Sequence, residues 1–206
     1  MSPRRYRMAG RSQGVDATRR RIVDAAMRLH VRQGAIATSW DDIAAESGVS
    51  RATVYHHFNS LETLVPACAQ VAFDLIEVPT PEQAREAFAA LPSAEARLHH
   101  FIVETCRCYA AGADWLGAAW RERDLVLTMG EAVSRLQRSL HVMLGAVVHG
   151  EQLSTDERRS LTALLDFPFW EALDHAGVPR RRIPARIEQL ARAIVPFGAH
   201  QPEEVH

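Results

Sequence analysis

The residues best suited to chemistry lie between Thr38 and Phe58. Gly48-Val49-Ser50 separates two short helical segments; the first carries Ile43-Ala44 and the second runs from Arg51 to Phe58. Small Ala44 permits close helix crossing, and Gly48 permits a positive φ at the turn. Projecting the second segment at roughly 100° per residue separates three surfaces. Val54 and Phe58 share the inward side, Ala52, Thr53 and His56 lie opposite, and Arg51, Tyr55 and His57 fall on the flanks. This is a chemically sensible surface for double-stranded DNA. Thr53 offers a hydrogen bond to a base edge or contact with a thymine methyl group, Ala52 a further apolar contact, and His56 a donor. Arg51, Tyr55 and His57 suit phosphates, which fix register without reading sequence. Thr38, Ser39 and Ser50, at the helix starts, complete the candidate DNA-contacting set. Periodicity alone leaves open an ordinary pair of packed helices, because this geometry also occurs outside DNA readers.

The elements that must position these residues read as helical throughout, giving an all-α fold. Residues 1–15 are basic and polar without periodicity, which predicts a mobile arm. Asp16 or Thr18 caps a helix with Ile22, Ala25, Ala26 and Leu29 at helical spacing, ended by Gly34. Thr38 or Ser39, with Asp41 or Asp42 three residues on, suggests a capping box. Asn59-Ser60 precedes a longer helix from Leu61 to about Ile76. Further helices are expected over 81–90, from Pro92-Ser93 to Ala111 before Gly112, and over 113–125, 131–148, 155–176 and 180–195. Pro66, Pro168 and Pro184 should kink their helices or mark first turns.

From Thr18 to Leu64 the chain resembles the N-terminal domain of the TetR repressor family. The most specific stretch is Ile43-Ala44, Gly48-Val49-Ser50 and Thr53-Val54-Tyr55-His56-His57-Phe58, followed by Ser60, Glu62 and Leu64. The resemblance implies three N-terminal helices, the second and third reading DNA, and a fourth leading to a divergent helical domain. It also implies a homodimer whose last two long helices form a four-helix bundle across a two-fold axis. Three positions depart from the family pattern. His30 stands where an aromatic residue is usual, Leu61 where a phosphate-binding lysine is common, and Asp41 where a basic or neutral residue is frequent. Losing one phosphate contact and gaining an acid near the duplex should weaken binding and flatten its salt dependence. The arginines between Arg4 and Arg11, and Arg19 to Arg21, could compensate.

Charge distribution supports this organisation. The 206-residue chain has a formal net charge of −1, yet residues 1–58 contain ten arginines against five acids and the remainder fourteen against twenty. A basic head on an acidic body suits a DNA-facing domain. Every basic residue apart from histidine is arginine, which points to a GC-rich genome more than to mechanism. No apolar run approaches a membrane span, and no apolar stretch follows the basic N-terminus as in a signal peptide. Cys68, Cys106 and Cys108 look like reduced thiols, so a cytoplasmic location is expected.

The organisation expected is a basic arm over 1–15, a helix-turn-helix domain over 16–60 and a ligand-binding and dimerisation domain over 61–206. Within the last, Phe101, Glu104, Thr105, Cys108, Trp115, Trp120 and Met143 are candidate ligand contacts. Aromatic and methionine side chains with a few polar groups line pockets, although they equally form cores. A metal site among His99, His100, Cys106 and Cys108 is disfavoured because neighbouring positions do not converge on one helical face. No phosphate loop or nucleophile elbow is present, so neither catalysis nor a cofactor is expected. Ten apolar residues, Leu161, Leu164, Leu165, Phe167, Phe169, Trp170 and Leu173 on one helix and Ile187, Leu190 and Ile194 on the next, exceed what a monomer's inward stripe needs, and suggest the dimer. The expected function is a repressor that leaves a palindromic operator when a small molecule binds. A small-molecule-binding helical protein with weakened DNA binding is the alternative.

Overall fold

A computed structural model describes residues 3–76 and 80–195. These form helices α1 (Pro3–Gln33), α2 (Trp40–Ser47), α3 (Arg51–His57), α4 (Leu61–Ile76), α5 (Pro81–Ala89), α6 (Ala94–Glu122), α7 (Leu127–Val147), α8 (Thr155–Leu165), α9 (Phe167–His175) and α10 (Ile183–Ile194), with a 3₁₀ turn at Arg180–Arg182. No strand occurs among the described residues, and no helix there is long and apolar enough to cross a membrane.

The largest differences from the sequence reading are three. The expected arm is already helical from Pro3, so neither Asp16 nor Thr18 is a cap. Proline suits a helix start, and no second proline interrupts the run to Gln33. Gly112 does not end a helix but lies inside the 29-residue α6. The buried positions Tyr109, Trp115 and Leu116 on either side supply packing that outweighs its roughly 1 kcal/mol helical penalty. The long helix expected over 155–176 is broken at Asp166, which is extended and caps α9 ahead of Pro168. Pro184 falls in the first turn of α10, whereas Pro66 lies inside α4.

The chain divides into two compact units. The first comprises residues 1–74 together with 117–133; the second comprises 75–116 and 134–206. The head therefore recruits the last turn of α6, the turn after it and the start of α7. Its main core is Ile22, Val23, Ala26 and Leu29 of α1 against Ile43, Val54, Phe58 and Leu64. A second cluster joins Ala35 and Val65 to Val126 and Met129, with Leu61 packed against it. Leu61 thus has a packing role that a lysine would not fill.

In the second unit, Tyr109 donates a hydrogen bond to the Leu165 carbonyl at 3.0 Å. Its ring meets Phe167 edge-on at 5.4 Å, and Phe167 stacks on Trp170 at 5.9 Å. Arg180 lies over Trp170 and forms a two-pronged pair with Asp174. Six of the ten apolar residues assigned to dimerisation, among them Leu161, Phe167, Trp170 and Ile187, are buried within the single chain. The surplus argument for a dimer fails for these six: they close the core of the monomer. Phe169, Leu173 and Ile194 are half-buried and Leu190 is exposed.

Candidate nucleic-acid interface and small-molecule cavity

Local chemistry fixes the frame of the interface. Ser39 is the N-cap of α2: its hydroxyl accepts from the Asp42 N–H, and the Asp42 carboxylate accepts from the Ser39 N–H at 3.0 Å. The Ser39 hydroxyl also donates to the Asp42 carboxylate at 2.7 Å, and this bond first, then the one from the Ser39 N–H, holds the Asp42 carboxyl below its usual range. Thr38, the other candidate cap, instead donates its hydroxyl to the Gly34 carbonyl at 2.6 Å. Gly48 ends α2 at φ 66°, a left-handed conformation glycine adopts without steric cost. Ser50 then caps α3 through the Thr53 N–H.

On α3, Val54 and Phe58 are buried, anchoring the helix by its inward side. Ala52 and His56 are exposed and Thr53 is half-exposed on the other side. Thr53 has a local tie as well, since its hydroxyl lies 2.8 Å from that of Ser50. His57 sits edge-on to His56 at 5.6 Å; burial first, then His56 and Arg19, push its pKa below 6.5. The Arg19 guanidinium covers the Phe58 ring at 4.7 Å.

Sequence reasoning missed the cluster that organises the flank of α3. Arg51 pairs with Asp41 at 2.9 Å, donates to the Tyr55 hydroxyl at 3.4 Å and lies over its ring. Trp40 packs against Tyr55 with ring centroids 5.3 Å apart. The Tyr55 bond, then Asp41, raise the Arg51 pKa. Asp41 is therefore more than an acid added near DNA, because it holds Arg51 at the start of α3. The ten-residue separation of Asp41 and Arg51 gives no periodic signal.

Behind this surface, the Ala35 N–H donates to the Glu122 carboxylate at 2.7 Å. Gly34 has φ 87°, a left-handed conformation that favours glycine, and the Glu122 carboxylate lies where a Cβ there would sit. His30, one turn earlier, is 1% exposed with neither ring nitrogen hydrogen-bonded, and burial lowers its pKa to about 4.

The second unit contains a cavity of about 250 Å³. Five of the seven candidate ligand contacts, Phe101, Glu104, Thr105, Cys108 and Met143, line it. Trp115 and Trp120 do not; both are buried in core positions farther along α6. Helix α5 contributes Ala84, Ala87 and Phe88, and α7 contributes Leu136 and Leu140. The Leu136, Leu140, Met143 spacing of four and three was a legible signal that went unused. Glu104 accepts from Arg107 at 2.9 Å. His99 pairs with Glu188 at 2.8 Å.

Residues 22–68 match the family model described as "Bacterial regulatory proteins, tetR family". The same region is 48% identical over 50 residues to the HTH-type transcriptional regulator SrpR of Pseudomonas putida, a match covering 24% of each chain. The chain thus spans about a quarter of the length of that curated relative. Similarity of fold extends much further. A tetR-family transcriptional regulator from Streptomyces coelicolor superposes with a TM-score of 0.65 at 21% identity, covering 87% of this chain and 80% of that one. The multidrug binding protein EbrR, solved with imidazole, gives 0.63 at 16% identity, covering 89% and 98%.

Proposed function

From a chain whose residues 22–68 match the family model of tetR-type bacterial regulatory proteins, and whose fold is shared with solved regulators of that family, we propose a repressor that binds operator DNA as a homodimer and is released by a small molecule. The observation that carries the reading is the outward face of α3. Ala52, Thr53 and His56 are presented by a helix anchored through Val54 and Phe58, with Arg51 and Tyr55 on its flank. Direct readout needs such a rigid helix with short polar and apolar side chains aimed at base edges.

A seven-residue recognition helix reads few base pairs, so two copies related by a two-fold axis suit a palindromic site. Half-buried Phe169, Leu173 and Ile194, with exposed Leu190, are the apolar groups on α9 and α10 left for a partner. The cavity is the effector site. Helix α6 carries its wall residues Phe101, Thr105 and Cys108 in the first half and Glu122 in the last turn. Release follows only if the effector binds the DNA-free geometry more tightly than the DNA-bound one, and the coupling is reciprocal.

The test is fluorescence anisotropy with duplex DNA from immediately upstream of the coding region, alongside random duplex at the same salt. The full chain should prefer the upstream DNA, and His56→Ala should weaken that complex by roughly tenfold. Equal affinity of wild type and variant for both duplexes would refute the assignment of α3.

A further inference from the structure

We propose that the cavity selects an uncharged, compact ring compound bearing one hydrogen-bonding oxygen. This rests on reading the cavity as the effector site and adds its ligand class. The volume, about 250 Å³, lies near the low end of small-molecule sites, which suits one or two rings. The apolar wall is built by Phe88 of α5, Phe101 of α6 and Leu140 and Met143 of α7, and the Phe88 ring meets Phe101 edge-on at 6.0 Å.

Charge selects against ions. The two oppositely charged side chains on the lining, Glu104 and Arg107, are 2.9 Å apart and partner each other. Both are about half exposed, at 44% and 53%, which places their charges in contact with water. A cationic ligand competes with Arg107 for Glu104, and an anionic one competes with Glu104 for Arg107. Either ion also loses hydration against hydrocarbon, a cost that an already neutralised pair does not return. A neutral molecule meets neither penalty.

Of the polar side chains on the lining, Gln83 closes a capping box with Thr80, exposed His100 meets the Phe88 ring edge-on at 6.2 Å, and half-buried Thr105 is the polar handle set in the apolar wall. Tyr109 lines the cavity, but its hydroxyl is committed to the Leu165 carbonyl. Thr105 is half-buried in the wall, and its hydroxyl has no hydrogen bond among the described residues. A threonine hydroxyl both donates and accepts, so a phenol, alcohol or ketone oxygen satisfies it.

Three probes of one shape separate the possibilities: 2-naphthol, 2-naphthoate and 2-naphthylmethylammonium, titrated calorimetrically into the full chain at pH 7 without DNA. The expected result is 2-naphthol binding more than about tenfold more tightly than either ion. Thr105→Val should weaken 2-naphthol by roughly three- to tenfold while leaving unsubstituted naphthalene unchanged, and Thr105→Ser should restore it. Glu104→Gln, which leaves the lining net positive, should improve 2-naphthoate relative to 2-naphthol. Tightest binding by either ion, equal binding by all three, no binding by any, or indifference to Thr105→Val overturns the proposal. If 2-naphthol binds as expected but leaves DNA affinity unchanged, the ligand class stands and the effector reading falls.

Discussion

His30→Phe should make the protein more resistant to mild acid. His30 is 1% exposed, and both ring nitrogens lack partners. Burial lowers its pKa from 6.5 to about 4, because a charged imidazolium would lose hydration without gaining an acceptor. The sign follows from proton binding. Above pH 6.5 the ring is neutral in both states and contributes no pH dependence. Between 6.5 and 4 the unfolded chain takes up a proton that the folded chain refuses, so stability falls as pH falls, and the loss levels off below 4. The full span of this window corresponds to about 3 kcal/mol, of which about 2 kcal/mol is lost by pH 5. Phenylalanine supplies a ring of similar size without a titrating nitrogen. Urea unfolding followed by circular dichroism at pH 7 and pH 5, on both proteins, isolates the effect. The stability difference between variant and wild type should shift in favour of the variant by about 2 kcal/mol at the lower pH. A shift below about 0.5 kcal/mol, within the uncertainty of such extrapolations, would show that the ring is solvated or partnered in solution.

The turn after α1 gives two further tests. Gly34→Ala should lower stability by about 1–2 kcal/mol in thermal or urea unfolding, from the left-handed backbone alone. Glu122→Ala should cost about 1–3 kcal/mol by stranding the Ala35 N–H, with Glu122→Gln recovering much of the loss because its amide oxygen still accepts. On the interface, Asp41→Asn should release Arg51 to a phosphate, tightening DNA binding at low salt and steepening the slope of log K against log salt by up to about 0.9. An unchanged slope in an anisotropy titration would show that Asp41 does not withhold Arg51 from a phosphate.

What the sequence made legible was local. Ser39 with Asp42, Gly48 and Ser50 carry their information within three or four residues, and caps and turns are decided at that range. The inward and outward sides of α3 followed from helical period alone. The interruption expected at Gly112 failed because glycine's penalty is small beside the burial of Tyr109, Trp115 and Leu116, which depends on residues distant in the chain. The basic start failed similarly: a polar stretch without an apolar period is still helical from Pro3 onward. Membership of residues 117–133 in the head was invisible, since the bond between Ala35 and Glu122 spans 87 positions. The cavity was legible where its lining shared one face of α6, and illegible on α5, where alanines at positions 84 and 87 signal neither a core nor a site.

The bond between Ala35 and Glu122 also bears on how far α6 would have to move for a ligand to matter. At 2.7 Å it lies near the short end for an N–H donor, and such a bond is effectively lost beyond about 3.5 Å. A displacement of under 1 Å along its line, less than the roughly 1.5 Å rise of one helical residue, is enough to break it unless the Glu122 side chain re-orients to follow. Gly34 leaves room for the Glu122 carboxylate in the space a Cβ would fill. Four residues beyond Ala35 is Ser39, the cap that starts α2, so a change at Ala35 reaches the reading head through very little chain. On the proposed mechanism the effector need not reshape the cavity greatly. It has to favour a position of α6 that Glu122 cannot satisfy.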